Sequence, residues 1–146
     1  MKRIVVGLRP HARNEPIIRW IERYAPEMGP HVVIVHVVPQ ATLWIVSSVQ
    51  ANSTEYVHTL HKRFESTVVS RLRRQGISCE VRIERGDPVS RLIAVAHRLD
   101  AELIVVGSSE HNTLHDTILG NAVRKLEHLT DIPVLVVPTG VHSAHV

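Results

Sequence analysis

The sequence predicts a single α/β domain with a five-stranded parallel sheet and helices on both faces. Three observations carry this expectation. Short runs rich in Val and Ile, apolar on both faces, alternate with stretches whose apolar residues recur at helical spacing. Residues that start and stop helices fall at the joints between these segments. The length, 146 residues, fits one domain with a substantial core.

Taken in order, Ile4 to Leu8 reads as the first strand. Asn14 to Met28 sets Ile17, Ile18, Ile21, Tyr24, Ala25 and Met28 on one helical stripe. Asn14 is its candidate N-cap, Pro16 lies in the first turn, and Gly29-Pro30 stops it. Val32 to Val38 is a second strand, interrupted by His36, which reads as a satisfied core histidine. Residues 39–52 lack clear periodicity and are expected to form a loop carrying Trp44.

A long helix follows, with Val57, Leu60, Phe64, Val68 and Leu72 inward and a capping box from Asn52 to Glu55. Cys79 to Glu84 alternates strictly, so this third strand is expected to keep one face in water. In Gly86-Asp87-Pro88, Asp87 can cap a helix and Pro88 can occupy its first position. That helix is expected to bury Val89, Leu92, Ile93 and Ala96. Leu103 to Val106 is strand four, Asn121 to Leu129 the last helix and Val134 to Val137 the last strand. The domain is expected over residues 1–140, the chain loosening from Thr139 and ending in a tail, 141–146.

Composition excludes several classes. At 44% hydrophobic and 21% charged the chain has an ordinary globular balance. No apolar run approaches the roughly 18–20 residues that span a bilayer. Met-Lys-Arg leads straight into Ile4-Val5-Val6, so no signal peptide is expected and a cytoplasmic protein is the simplest reading. The single cysteine, Cys79, allows no internal disulfide. The net charge of +3 is scattered, and Arg71, Arg73 and Arg74 complement a helix C-terminus. With aromatics at 3% there are few stacking platforms, which argues against a nucleic-acid partner.

The alternation of strand and helix implies right-handed crossovers. It also implies a ligand crevice beyond the carboxyl ends of the strands, flanked by strands one and four. Gly107 ends the fourth strand run and Gly120-Asn121 opens a helix. A strand, a loop and a helix N-terminus in that order make a phosphate seat. Glu110 lies inside the loop and would set a carboxylate against any phosphate.

At this point the chain resembles the universal stress protein family. The resemblance rests on Gly86-Asp87-Pro88, on Asp100 through Gly107-Ser108, on Gly120-Asn121 and on Ile132 through Pro138, with His36-Val37-Val38 also matching. It covers nearly the whole chain and is weakest over residues 39–60. It implies strand order 3-2-1-4-5, an adenine nucleotide alpha hydrolase-like fold, and pairing of the last strand, Val134, Leu135, Val136 and Val137, across a homodimer. A two-fold homodimer is therefore expected, the alternative being a cover from within the chain. The nucleotide-binding branch of that family carries Gly-x2-Gly-x9-Gly-(Ser/Thr). Here Gly107 and Gly120 keep the spacing, while Glu110 replaces the second glycine and Asn121 the hydroxyl residue. Arg9 stands where the family usually has an aspartate.

The resemblance thus points to a pocket at Leu8, Arg9, Val38, Val106, Gly107, Glu110, Gly120 and Asn121. Asn121 can cap the helix or donate to a phosphate oxygen. A carboxylate about 4 Å from a phosphate charge costs roughly 1–4 kcal/mol, depending on the effective dielectric. Arg9 and Glu110 either meet above the sheet and close the pocket or both point into solvent.

His111 and His115, with Asp116 and His11, invite a metal reading, but four-residue spacing joins ligands only on a helix and this stretch reads as loop. Neither a nucleophile elbow nor a P-loop lysine occurs, and no catalytic set can be assembled. The leading expectation is a cytoplasmic, dimeric, non-catalytic binding or regulatory protein with a degraded or altered nucleotide pocket. One alternative is a functional ATP or AMP binder, using magnesium if the ligand is ATP and at most hydrolysing it slowly. The other is a dimerisation module without a small-molecule ligand.

Overall fold

The computed structural model describes residues 2–10, 13–49, 52–108 and 123–139. The Val- and Ile-rich runs form β1 (Arg3–Gly7), β2 (His31–Val38), β3 (Cys79–Arg85), β4 (Leu103–Gly107) and β5 (Val134–Val137). They build one sheet of order β3-β2-β1-β4-β5, parallel at every pairing. The expected order is therefore the observed one.

Between the strands run α1 (Glu15–Met28), α2 (Gln40–Ser48), α3 (Ser53–Phe64), α4 (Ser70–Arg74) and α5 (Pro88–Arg98). Residues 123–129 are also helical. Successive strand residues point to opposite layers, as the pleat requires. Ile4, Val6, Val32, Ile34 and Val105 pack with Ile17 and Ile21 of α1 and with Phe64 and Leu72 of α3 and α4. Val5, Val33, Val35 and Ile104 face the other layer, against Leu92, Val95 and Ala96 of α5 and Leu126.

Residues 39–52, expected as loop, hold α2. Its polar and apolar side chains are scattered around the axis, and only Leu43 is buried, packed with Val38 and Leu60. Trp44, Ile45 and Val49 are exposed. With no polar face to contrast with an apolar one, there was no stripe to read.

α1 departs from expectation at both ends. Asn14 does not cap through its side chain. It is helical itself, with φ −92° and ψ −11°, and its Nδ2 donates to the Arg9 carbonyl at 2.7 Å. Tyr24 and Met28 are 43% and 48% exposed. Trp20 instead packs against the core, and Tyr24 lies outside it with ring centres 5.4 Å apart.

The expected single helix after residue 52 is broken by a π-helical turn, Glu65–Val69. The wider turn brings Val68 and Val69 both into the core beside Phe64 and Leu72. The Thr67 hydroxyl donates to the Arg63 carbonyl at 2.7 Å and that of Ser70 to Ser66 at 2.6 Å, the back-bonding that loosens a helical ladder. At the start of α3 the Asn52 side chain accepts from the Thr54 and Glu55 amides, which is the Asn52 half of the expected capping box.

Cys79 packs as a small hydrophobe, as expected. It is 3% exposed, and burial pushes its thiol pKa up. In α5 the inward residue after Leu92 is Val95, with Ile93 only half-buried. Thr139, expected where the chain loosens, is buried; residues 141–146 lie outside the described part. No helix among the described residues is long and apolar enough to cross a membrane.

One arginine ties α1 to α4. The Arg71 guanidinium donates through Nη1 and Nη2 to both Glu15 oxygens at 2.9 and 2.8 Å. Through Nε and Nη2 it also donates to Glu22 at 2.8 and 2.9 Å. The Arg71 hydrogen bonds hold the Glu15 carboxyl at about 2, down from 4.5, and keep Glu22 low as well. Because these folded-state values are depressed, the stabilisation is full above the ordinary carboxylate range and is lost as pH falls toward 2. Solvent screens the cluster, since Glu15 is 48% exposed. Arg71→Met is therefore expected to cost about 1 kcal/mol at pH 7. In urea titrations the gap to the native chain should close as pH falls from 5 to 2.5; a gap that does not change with pH would refute the assignment.

Candidate functional site

The carboxyl ends of β1 and β4 part above the sheet, and the space between them is a cleft of about 670 Å³. Gly7, Leu8 and Arg9 form one wall and Val106, Gly107 and Ser108 the other. Val38, at the end of β2, lines it too. Leu8, Arg9, Val38, Val106 and Gly107 are thus brought together as expected. Glu110, Gly120 and Asn121 lie outside the described residues, as does any pairing of Arg9 with Glu110.

Backbone bonds fix the first wall. The Leu8 amide donates to the Val35 carbonyl at 2.9 Å, continuing the sheet one residue beyond β1. The Leu8 carbonyl lies 3.0 Å from His36 Nδ1. A carbonyl only accepts, so Nδ1 carries the proton there. His36 is buried, with its ring centre 5.8 Å from that of Phe64. It is the satisfied core histidine the strand pattern suggested. The Asn14 bond to the Arg9 carbonyl holds the turn from the other side.

The second wall is held by a clasp between the ends of β4 and β5. The Ser108 amide donates to the Val137 carbonyl at 2.8 Å. The Thr139 amide donates to Ser108 Oγ at 2.9 Å, and Thr139 Oγ1 donates to the Ser108 carbonyl at 2.9 Å. This seats the Thr139 methyl against Gly107. A Cβ added at Gly107 would lie 2.8 Å from Thr139 Cγ2 and 3.1 Å from Ile17 Cδ1. Close packing therefore requires glycine at the top of β4.

At the start of α5, Asp87 accepts from the Ser90 amide at 2.9 Å, the expected cap. That backbone bond lowers the Asp87 pKa, with a smaller contribution from the charge of Lys125. Arg9, Arg13 and Lys125 all line the cleft, so three cations stand around largely apolar walls. This arrangement can take a flat apolar body with an anionic tail. Sequence reasoning missed Arg13, Tyr56, Lys125 and Thr139 as lining residues. Thr139 could have been found from its place just past strand five, beside the end of strand four; the others reach the cleft from separate elements.

The histidines of the suggested metal set, His11, His111 and His115, and Asp116 fall outside the described residues. Among the described residues no group of three or more His, Cys, Asp or Glu side chains could hold a metal. Val134, Leu135, Val136 and Val137 form β5 at the sheet edge, where Val136 is exposed and Val137 buried.

A sequence model of the universal stress protein family matches residues 1–138. Stress response protein NhaX of Bacillus subtilis (strain 168) is 39% identical over 66 residues, which are 45% of this chain and 40% of that protein. The match thus spans two fifths of that relative's length. Among solved structures, the universal stress protein from Archaeoglobus fulgidus in complex with dAMP superposes with a TM-score of 0.67 at 21% identity, covering 94% of this chain and 98% of that one. A universal stress protein family protein from Arabidopsis thaliana with AMP bound gives 0.63 at 15% identity, over 94% and 92%. Hypothetical protein PH0823 gives 0.74 at 16% identity, over 97% and 98%. At these identities the superpositions establish the shared fold.

Gly107→Ala is expected to destabilise the chain by about 1–3 kcal/mol through overpacking. Thr139→Ser removes the methyl that the new Cβ meets, so the double variant should recover part of that loss. Thermal unfolding of the two single variants and the double variant measures the coupling. Strict additivity would contradict the contact.

Proposed function

Because the chain belongs to the universal stress protein family, we propose that it is a cytoplasmic regulatory protein that binds an adenine nucleotide and does no chemistry on it. The observation that carries this reading is the cleft, with Leu8, Val38 and Val106 as apolar walls and Arg9, Arg13 and Lys125 around them. Apolar walls suit the faces of a purine, and guanidinium and ammonium groups suit phosphate. The complexes of relatives with dAMP, cAMP and AMP support the ligand class.

The pocket is altered from the family's pattern. Glu110 and Asn121 replace a glycine and a hydroxyl residue, and Arg9 replaces an aspartate. A carboxylate at the second-glycine position of that pattern disfavours a long phosphate chain, so a monophosphate is favoured over ATP, and magnesium with ATP would offset part of that repulsion. A second reading, favoured by Glu110 alone, is a dimerisation module that takes no small ligand.

Calorimetry with AMP, cyclic AMP and ATP, with and without magnesium, separates these readings. The native chain is expected to bind AMP more tightly than ATP. Glu110→Gly should raise ATP affinity by about fivefold or more, the lower end of the carboxylate penalty. Submicromolar ATP binding by the native chain, unchanged in the variant, would overturn the altered pocket. Silence in both proteins would favour the module.

The β5 edge supports a two-fold homodimer. Val136 is 37% exposed on a four-residue edge strand, and such an edge invites pairing with a second copy. Sedimentation at micromolar concentration should give twice the chain mass, and Val136→Arg should give the monomer. A native monomer would refute the dimer.

A further inference from the structure

The sheet carries a second group of interacting polar side chains at its other end, away from the cleft. His31 is the first residue of β2, and the parallel register sets Val32 beside Cys79. Ser78 and Glu80 flank Cys79 and project from the same face, next to the imidazole. His31 Nδ1 lies 2.7 Å from Ser78 Oγ, and His31 Nε2 lies 2.8 Å from Glu80 Oε1. Arg82 Nε adds a contact to the other Glu80 oxygen at 3.4 Å. The His31 hydrogen bond, opposed by burial and aided by the charge of Arg82, holds the Glu80 carboxyl below its usual range.

In the neutral ring, these contacts assign the proton positions. An ionised carboxylate only accepts, so Nε2 of the ring carries its proton toward Glu80. The neutral imidazole then has its lone pair at Nδ1, which accepts the Ser78 hydroxyl proton. A nucleophile, a base within hydrogen-bond reach and a group that orients the base stand in sequence. Ser78 is exposed, and the His31 side chain is 24% exposed, so a reagent can approach the hydroxyl.

We propose that Ser78 is an activated nucleophile, a site of covalent acylation by small activated acyl donors such as esters, thioesters or acyl phosphates. His31 acts as its base and Glu80 as the positioning residue. In the step, Ser78 Oγ forms a bond to the acyl carbon. The bond from that carbon to the leaving oxygen or sulfur breaks, and the leaving group departs with its electron pair. The hydroxyl proton passes to His31 Nδ1, and the resulting imidazolium is stabilised by the Glu80 carboxylate. The relay supplies nucleophile and base, so the expected product is a stoichiometric serine ester. This inference does not depend on the nucleotide reading of the cleft.

The whole chain is treated with p-nitrophenyl acetate, and acetylation is mapped by mass spectrometry on the tryptic peptide 75–82, whose fragments separate Ser78 from Cys79. The native chain is expected to acetylate Ser78 well ahead of the exposed Ser47 and Ser66. His31→Gln should slow the reaction by about 100-fold, the low end of general-base contributions, and Glu80→Gln should slow it less. Unfolding the native chain in urea separates the three residues and should abolish the selectivity, a control that holds even if His31→Gln fails to fold. Equal labelling of Ser78, Ser47 and Ser66 in the native chain would overturn the proposal. So would an unchanged rate in folded His31→Gln, because the three side chains would then only pin β2 to β3.

Discussion

Strand β1 is hydrogen-bonded on both edges and covered on both faces, and the rest of the molecule follows from meeting that requirement. Val5 and Val6 have no exposed surface and face opposite layers. With no water to serve its amides and carbonyls, β1 depends on β2 along one edge and β4 along the other. The chain must therefore leave in one direction and later return on the other side. Where those departures diverge, the backbone cannot fill the space above the sheet. The cleft between Leu8 and Gly107 is a result of sheet topology, and its local clasps only set the shape.

Those clasps share a logic. The Leu8 amide reaches β2, and Ser108 and Thr139 bind each other across the tops of β4 and β5. Each extends the sheet's bonding slightly past the last regular pair. The Leu8, Ser108 and Thr139 polar groups beside the cleft are thus bonded without closing it. Farther out, charge pairing seats the helices: Arg71 spans two carboxylates of α1, and Arg91 reaches Glu84 of β3 at 2.7 Å. Arg3 and Arg73 make similar links, to the Leu99 and Cys79 carbonyls.

The strands were legible because strand burial writes itself as Val and Ile runs, while their order and five of the cleft residues came from the resemblance to the family. The tops of the first, second and fourth strands are also where a parallel sheet leaves space. What was not legible has particular causes. Helix α2 scatters polar and apolar side chains around its axis, so its periodicity carries no contrast. The π-helical turn changes the phase of a helix without changing its composition. Asn14 has a capping side chain, yet its backbone takes helical φ and ψ and its Nδ2 is turned to the Arg9 carbonyl. Arg13, Tyr56 and Lys125 converge on the cleft from separate elements, and a linear pattern holds no record of that convergence.

The position of Cys79 gives the chain an internal clock. Its thiol is sealed between the sheet and the turn carrying Val69, with Sγ 3.6 Å from the Val69 carbonyl. Burial also keeps it in the unreactive protonated form. A thiol reagent can reach it only when β3 and the helix above it separate. Its labelling rate therefore measures how often that edge of the sheet opens, in a molecule that needs no engineered probe.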